Sequence, residues 1–342
     1  MSGREAGPRA VIFGCGGPRL TASETSFFRE TDPLGFILFA RNCIDPDQIR
    51  ALVDSLHATV GRADAPILID QEGGRVMRLR PPHWPDRPAA ARFAALATRD
   101  KDAAMRAAKL NARLIANDLH ALGITVDCAP VLDVRRPETH GVIGDRAYGE
   151  NPRQVAALGR AVAEGLLEGG VLPVVKHVPG HGRARADSHL ELPTVEAPRA
   201  ELEASDFVPF RDLADMPWAM TAHVLYTALD ARHPATTSPD IVAQVIRGWI
   251  GFDGVLLSDD LSMKALGGSF AQRTRLSLEA GCDVALHCNG DRDEMEQIAA
   301  ACAALTPAAR RRIAAGEARR GRPAPFDACK AAAALDALLA NA

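Results

Sequence analysis

Residues 176 to 189 read Lys176-His177-Val178-Pro179-Gly180-His181-Gly182-Arg183-Ala184-Arg185-Ala186-Asp187-Ser188-His189. The stretch follows an apolar run, Val171–Val175, that reads as a buried strand. Lys, His and Asp in such density beyond a buried strand cost stability unless each is paired or solvated. A site is the usual reason to keep them. A second candidate lies at Ser258-Asp259-Asp260, where two carboxylates emerge from the apolar strand Val255-Leu256-Leu257. A carboxylate there is placed to act as a nucleophile, or to cap a following helix. Strand alternation turns the two aspartates in opposite directions, so only one faces the same way as the buried face below it.

These residues need a scaffold that brings strand ends together. Short apolar runs alternate with longer helical patterns. The predicted strands are Ala10–Gly14, Gly35–Phe39, Pro66–Asp70, Ile124–Cys128, Leu172–His177, Trp218–His223, Gly254–Asp259 and Asp283–Cys288. Between them, Gln48–Val60 places Ile49, Leu52, Val53 and Leu56 on one helical face. Thr21-Ala-Ser-Glu24 has the pattern of a capping box, and Ser238-Pro-Asp precedes a helix over Ile241–Trp249. Eight β/α alternations predict a single (β/α)8 barrel, with polar strand ends converging on one face. The residues expected there are Asp70, Asp127, Lys176, His177, His223, Asp259 and His287. The Pro/Gly-rich stretches Arg80–Pro88 and Pro179–Gly182 read as βα loops.

Five segments together resemble glycoside hydrolase family 3, in its β-N-acetylhexosaminidase branch. They are Lys176–His189, Pro33–Asn42, Ile69–Arg75, Val142–Gly149 and Leu257–Met263. The matches run in order from about residue 10 to residue 290, which a single short motif could not do. The resemblance implies Asp259, the aspartate directly after the Ser, as nucleophile, with Asp260 on the helix side. It implies His189 as acid/base, oriented by Asp187, where most retaining glycosidases use a second carboxylic acid. Residues i and i+2 of an extended loop share a side, so Asp187 can accept one imidazole N–H while the other nitrogen exchanges a proton with substrate. Asp70, Arg78, Arg146, Lys176 and His177 match the family's sugar-binding residues. The alternatives are an Arg146 ion pair with Asp145 or Glu150, and Arg78 as a surface charge. His181 reads as a loop stabiliser, and His223 and His287 equally as site lining or buried rim. Arg183 and Arg185 depart from the family's small or acidic residues in that loop.

Composition narrows the classes. A net charge of −3 gives no polyanion signal, so nucleic acid is not expected as a partner. Aromatic residues make up only 5%, which suits a small closed sugar site better than a long groove with stacking platforms. Met1–Pro8 has no signal-peptide core, and no apolar run is long enough to span a membrane. The seven cysteines lack a Cys-x-x-Cys pair and read as thiols of a reducing cytosol. Gly14-Cys-Gly16 fails as a dinucleotide loop at Arg19, and no P-loop is present. A metal-dependent barrel hydrolase is the main rival, with His177, His181, His223, His287 and Asp259 as potential ligands. A non-catalytic sugar-binding barrel is the other, and Asp259 with the Asp187/His189 pair argues against it. The expectation is one catalytic barrel over residues 1–342 with a C-terminal Ala-rich helix, Asp327–Ala342. A cytosolic monomer without cofactor or metal is expected. The resemblance implies a retaining exo-β-N-acetylglucosaminidase acting on a small saccharide. By the same resemblance that saccharide is a GlcNAc-anhydroMurNAc-peptide of peptidoglycan recycling. Water or phosphate stays open as acceptor.

Overall fold

Apolar runs covered on both faces become parallel strands. In the computed structural model, which describes residues 7–136, 141 and 143–340, these runs close into a barrel. Its strands are β1 (Arg9–Gly14), β2 (Pro33–Leu38), β3 (Ile67–Ile69), β4 (Val126–Asp127), β5 (Leu172–Val178), β6 (Trp218–Thr221), β7 (Val255–Asp260) and β8 (Val284–His287). Each pairs in parallel with its neighbours in sequence, and β1 pairs with β8 to close the ring. This is the expected (β/α)8 barrel. Val142, the segment Met1–Ala6 and the tail end Asn341–Ala342 lie outside the described residues.

Strand alternation divides the core into two layers. Ile12, Leu68, Val126, Leu172, Val174, Val255, Leu257 and Leu286 fill the barrel. Val11, Phe13, Val175, Ala219, Leu256 and Ala285 pack outward against the helices. The same parity decides which strand-end residues reach the mouth. Asp70 continues the inward row of Leu68, Lys176 that of Val174, and Asp259 that of Leu257.

The helical signals hold. Thr21 and Glu24 form a capping box on Ala22–Thr31. Pro46–Val60 is capped by Asp45, ends at Gly61 in the left-handed region, and buries Ile49, Leu52, Val53 and Leu56. The Ser238 hydroxyl accepts from Ile241 N at 3.2 Å, although Ile241–Trp249 is wound as a π-helix. The tail forms a helix, Ala328–Leu339, that packs on Lys101–His120.

Two local departures matter for the site. β4 keeps only two residues of regular pairing, ahead of Ala129-Pro130, where proline offers no N–H. The loop leaving β5 ends in a parallel pair that sequence did not indicate, Thr194–Val195 with Leu225–Tyr226. Two residues are too few to show a period. The pair fastens the far end of the Lys176–His189 loop to the exit of β6. Among the described residues no helix is long and apolar enough to cross a membrane.

Candidate active site

The inward rows end in one cavity of about 160 Å3. Its lining brings together Asp70, Arg78, Arg146, Lys176, His177, His189 and Asp259. Of the strand-end residues expected there, Asp127, His223 and His287 are absent from the lining. Asp127 and His287 have the outward parity. His287 packs between Phe13 and Phe270 and pairs with Glu294 at 2.8 Å. His223 is buried behind β7, bonded to the Thr236 hydroxyl and the Asp260 carbonyl. These partners also disperse the potential ligand set of the metal reading. Among the described residues no three His, Cys, Asp or Glu side chains converge as a metal site. All seven cysteines are free thiols.

The floor of the cavity is an ion cluster. Lys176 Nζ sits 2.8 Å from Asp70 and 2.7 Å from Glu72. Arg78 meets the other oxygen of Asp70 at 3.0 Å and lies over the Phe39 ring. Arg146 forks onto both oxygens of Glu72, at 2.8 Å each. Arg78 is therefore no free surface charge, and Arg146 pairs with Glu72 and not with Asp145, which takes Arg75. Gln71 shapes the loop that makes this possible. Its amide donates to Leu79 O and accepts from Arg78 N and Leu79 N, folding Arg78 back beside Asp70. Burial alone would raise the two carboxyls. Lys176 and Arg78 outweigh it at Asp70 and hold it well below the usual range. Arg146 and Lys176 bring Glu72 down to about 2. Burial would lower Lys176, yet the two carboxylates keep it charged.

Asp259 stands at the exit of β7, with one oxygen accepting from Asp260 N at 2.8 Å. Burial works against its charge, but His177, His223 and Lys176 hold its pKa below the ordinary value. Asp260 also borders the cavity and caps no helix. Its carboxylate binds Ser262 and the amide of Cys288, and the next helix begins only at Phe270. His177 is fixed from behind by Asp133, whose carboxylate takes its Nδ1 at 2.7 Å. On the loop, Asp187 accepts from both the backbone N–H and Nδ1 of His189, at 2.9 and 2.8 Å. The His189 side chain is 64% exposed.

Residues 22–319 match the glycosyl hydrolase family 3 N-terminal domain. The chain belongs to glycosyl hydrolase family 3. It is 42% identical to a β-hexosaminidase of Alkalilimnicola ehrlichii over 283 residues spanning 82% of this chain and 80% of that one. The crystal structure of NagZ from Neisseria gonorrhoeae in complex with N-trifluoroacetyl-D-glucosamine superposes with a TM-score of 0.85 at 33% identity, covering 98% of both chains. A family 3 β-N-acetylglucosaminidase from a Paenibacillus strain gives a TM-score of 0.84 at 29% identity, over 96% of this chain and 66% of that one. The chain is thus a glycoside hydrolase of the β-hexosaminidase group.

For a family 3 enzyme, sequence reasoning missed two residues of the site. Glu72 lies two positions after Asp70 in the Ile69–Arg75 segment, and that spacing was a usable signal. Asp133 was harder to see, a lone acid in the apolar run Val131–Val134. Arg183, the departure from the family pattern, pairs with Asp206 and Glu201 at 2.7 Å each. It ties the loop to the outer layer and is not part of the cavity lining. Arg185 is exposed.

Proposed function

We propose that this enzyme is a retaining exo-β-N-acetylglucosaminidase, with Asp259 as nucleophile and His189 as acid/base. One observation carries the reading. An aspartate held ionised and an exposed histidine backed by an aspartate line the same small cavity as a buried ion cluster. The sugars and activity in the names of the related proteins support a GlcNAc substrate.

In the first step an Asp259 oxygen forms a bond to C1 and the exocyclic C1–O bond breaks, while His189 gives its proton to the leaving oxygen. In the second, water attacks C1, His189 takes a proton from it, and the ester bond breaks to return the Asp259 carboxylate. Asp187 supports the imidazolium of the first step. Saccharide hydroxyls are both donors and acceptors, and Asp70, Arg78, Arg146, Lys176 and His177 offer both kinds of partner. A volume of about 160 Å3 suits one terminal ring and so exo-action. The natural substrate in this reading is a GlcNAc-anhydroMurNAc-peptide in the cytosol, hydrolysed by a monomer of one catalytic barrel without metal.

An aryl β-GlcNAc should be hydrolysed with β-GlcNAc as the first product, far faster than the aryl β-glucoside. A 2-fluoro glycoside should trap an adduct on Asp259. Labelling of Asp260, or release of the α-anomer first, would overturn the assignment.

A further inference from the structure

Ser188 separates the two members of the acid/base pair, and it alone of the three is buried, at 3% exposure. Its hydroxyl lies 3.2 Å from His181 Nε2. Its carbonyl accepts from Ala265 N, in the turn after β7, at 3.2 Å. His181 is itself fixed, since its backbone N–H donates to Asp133 at 2.6 Å. The second oxygen of Asp133 holds His177 of the sugar clamp. A continuous set of hydrogen bonds therefore joins His177, Asp133, His181 and Ser188.

The base of the loop cannot absorb much movement. A Cβ on Gly182 would lie 1.9 Å from Val134 O, so the backbone there is in close contact. The Tyr226 hydroxyl donates to Gly180 O at 2.6 Å. Beyond Arg183, which is held by Asp206 and Glu201, the loop that carries the pair meets the barrel at Ser188. Burial brings the His181 pKa down to about 4, so the ring is neutral at working pH and can donate or accept at Nε2.

We propose that Ser188 is a positioning residue: its hydroxyl on His181 and its carbonyl on Ala265 hold Asp187 and His189 at the cavity, and Asp133 ties this latch to the sugar-binding His177. The proposal rests on the reading of His189 as the acid/base. A loosened latch leaves the clamp intact but lets the proton donor drift. The loss then falls on steps that need protonation of the leaving oxygen.

The test uses Ser188→Ala, His181→Gln and the double variant, with His189→Ala as reference. Single-turnover rates are measured over a series of aryl β-GlcNAc substrates. Ser188→Ala and His181→Gln should each lose about three- to tenfold on the poorest leaving group, the scale of one hydrogen bond. Both should lose little on the most acidic one, with KM nearly unchanged. If the two residues act through their mutual bond, the double variant loses no more than the worse single one. Amide exchange at residues 187–190 should quicken in the singles and no further in the double. Leaving-group-dependent loss for His189→Ala beside a parent-like Ser188→Ala overturns the proposal alone. Equal losses of Ser188→Ala across the series, or additive losses in the double variant, also overturn it. Uniform losses for His189→Ala itself overturn the acid/base reading, and this proposal with it.

Discussion

Glu72→Gln is the substitution that most sharply tests the ion cluster. Glu72 is 8% exposed, Arg146 12% and Lys176 3%, so water screens these pairs poorly. The carboxylate takes two hydrogen bonds from Arg146 and one ion pair from Lys176. Breaking a buried pair by removing one charge costs about 3–5 kcal/mol. Two features lower that figure here. Lys176 keeps Asp70 at 2.8 Å, and the glutamine carbonyl still accepts one bond from Arg146. A loss of about 2–3 kcal/mol is left, or a Tm lower by roughly 3–4 °C for a chain of this size. The same misplacement of Arg146 and Lys176 should cost kcat/KM on aryl β-GlcNAc about 30- to 150-fold, at about 1.4 kcal/mol per tenfold. Arg50→Ala, at an exposed pair with Asp47, is the control and should change Tm by little more than 1 °C. Thermal unfolding and initial rates on the same preparations decide it. A Glu72→Gln enzyme that melts within 1 °C of the parent and turns over within about twofold would refute the claim that this cluster organises the site.

Acid should weaken the fold through the same groups. Asp70 and Glu72 have native pKa values below their unfolded ones, so the native state binds fewer protons. Their stabilisation is complete above about pH 5 and is lost as pH falls through the native values, near 2 for Glu72. Urea midpoints that stay flat between pH 6 and 3 would contradict this. Because the Asp259 pKa is also depressed, kcat/KM should show no acid limb from this proposed nucleophile above about pH 4. Gly182→Ala must move backbone, because its Cβ would lie 1.9 Å from Val134 O. It should lower Tm and slow turnover more than Gly321→Ala, whose Cβ meets nothing within 4 Å among the described residues. Prolonged chelation should leave turnover unchanged, and a loss restored by a divalent metal would revive the metal reading.

The barrel was legible because its signals are local. Each strand is a short apolar run, and period two then says which end residue faces the axis. That rule places Asp70, Lys176 and Asp259 inward, and His287 outward against Phe13 and Phe270. Applied to each strand, it would have removed Asp127 and His287 from the expected mouth. The caps at Thr21 and Ser238 were legible for the same reason, since each bonds within a few residues of itself. The resemblance supplied the residues that local pattern cannot rank. Arg78 stands in a loop and Arg146 in a single 3-10 turn, Gly144–Arg146, where no period applies, and the folded Gln71 staple brings Arg78 to Asp70.

The limit of that legibility shows in two buried aspartates that look alike in sequence. Asp127 and Asp133 both follow apolar residues near the end of β4, and both are fully buried. Asp127 receives one backbone N–H, from Gln71, and its second oxygen has no partner. Burial pushes its carboxyl well above the ordinary value. Asp133 receives the His177 imidazole and the amides of His177 and His181, and these outweigh burial and keep it ionised. The difference lies in donors from β5 and its loop, more than forty residues away in the chain. A buried carboxylate takes its charge from the number of donors that fold back onto it. Composition and spacing therefore reveal an acid near the site, and only the closed barrel makes one of the pair a silent core group and the other the support of His177.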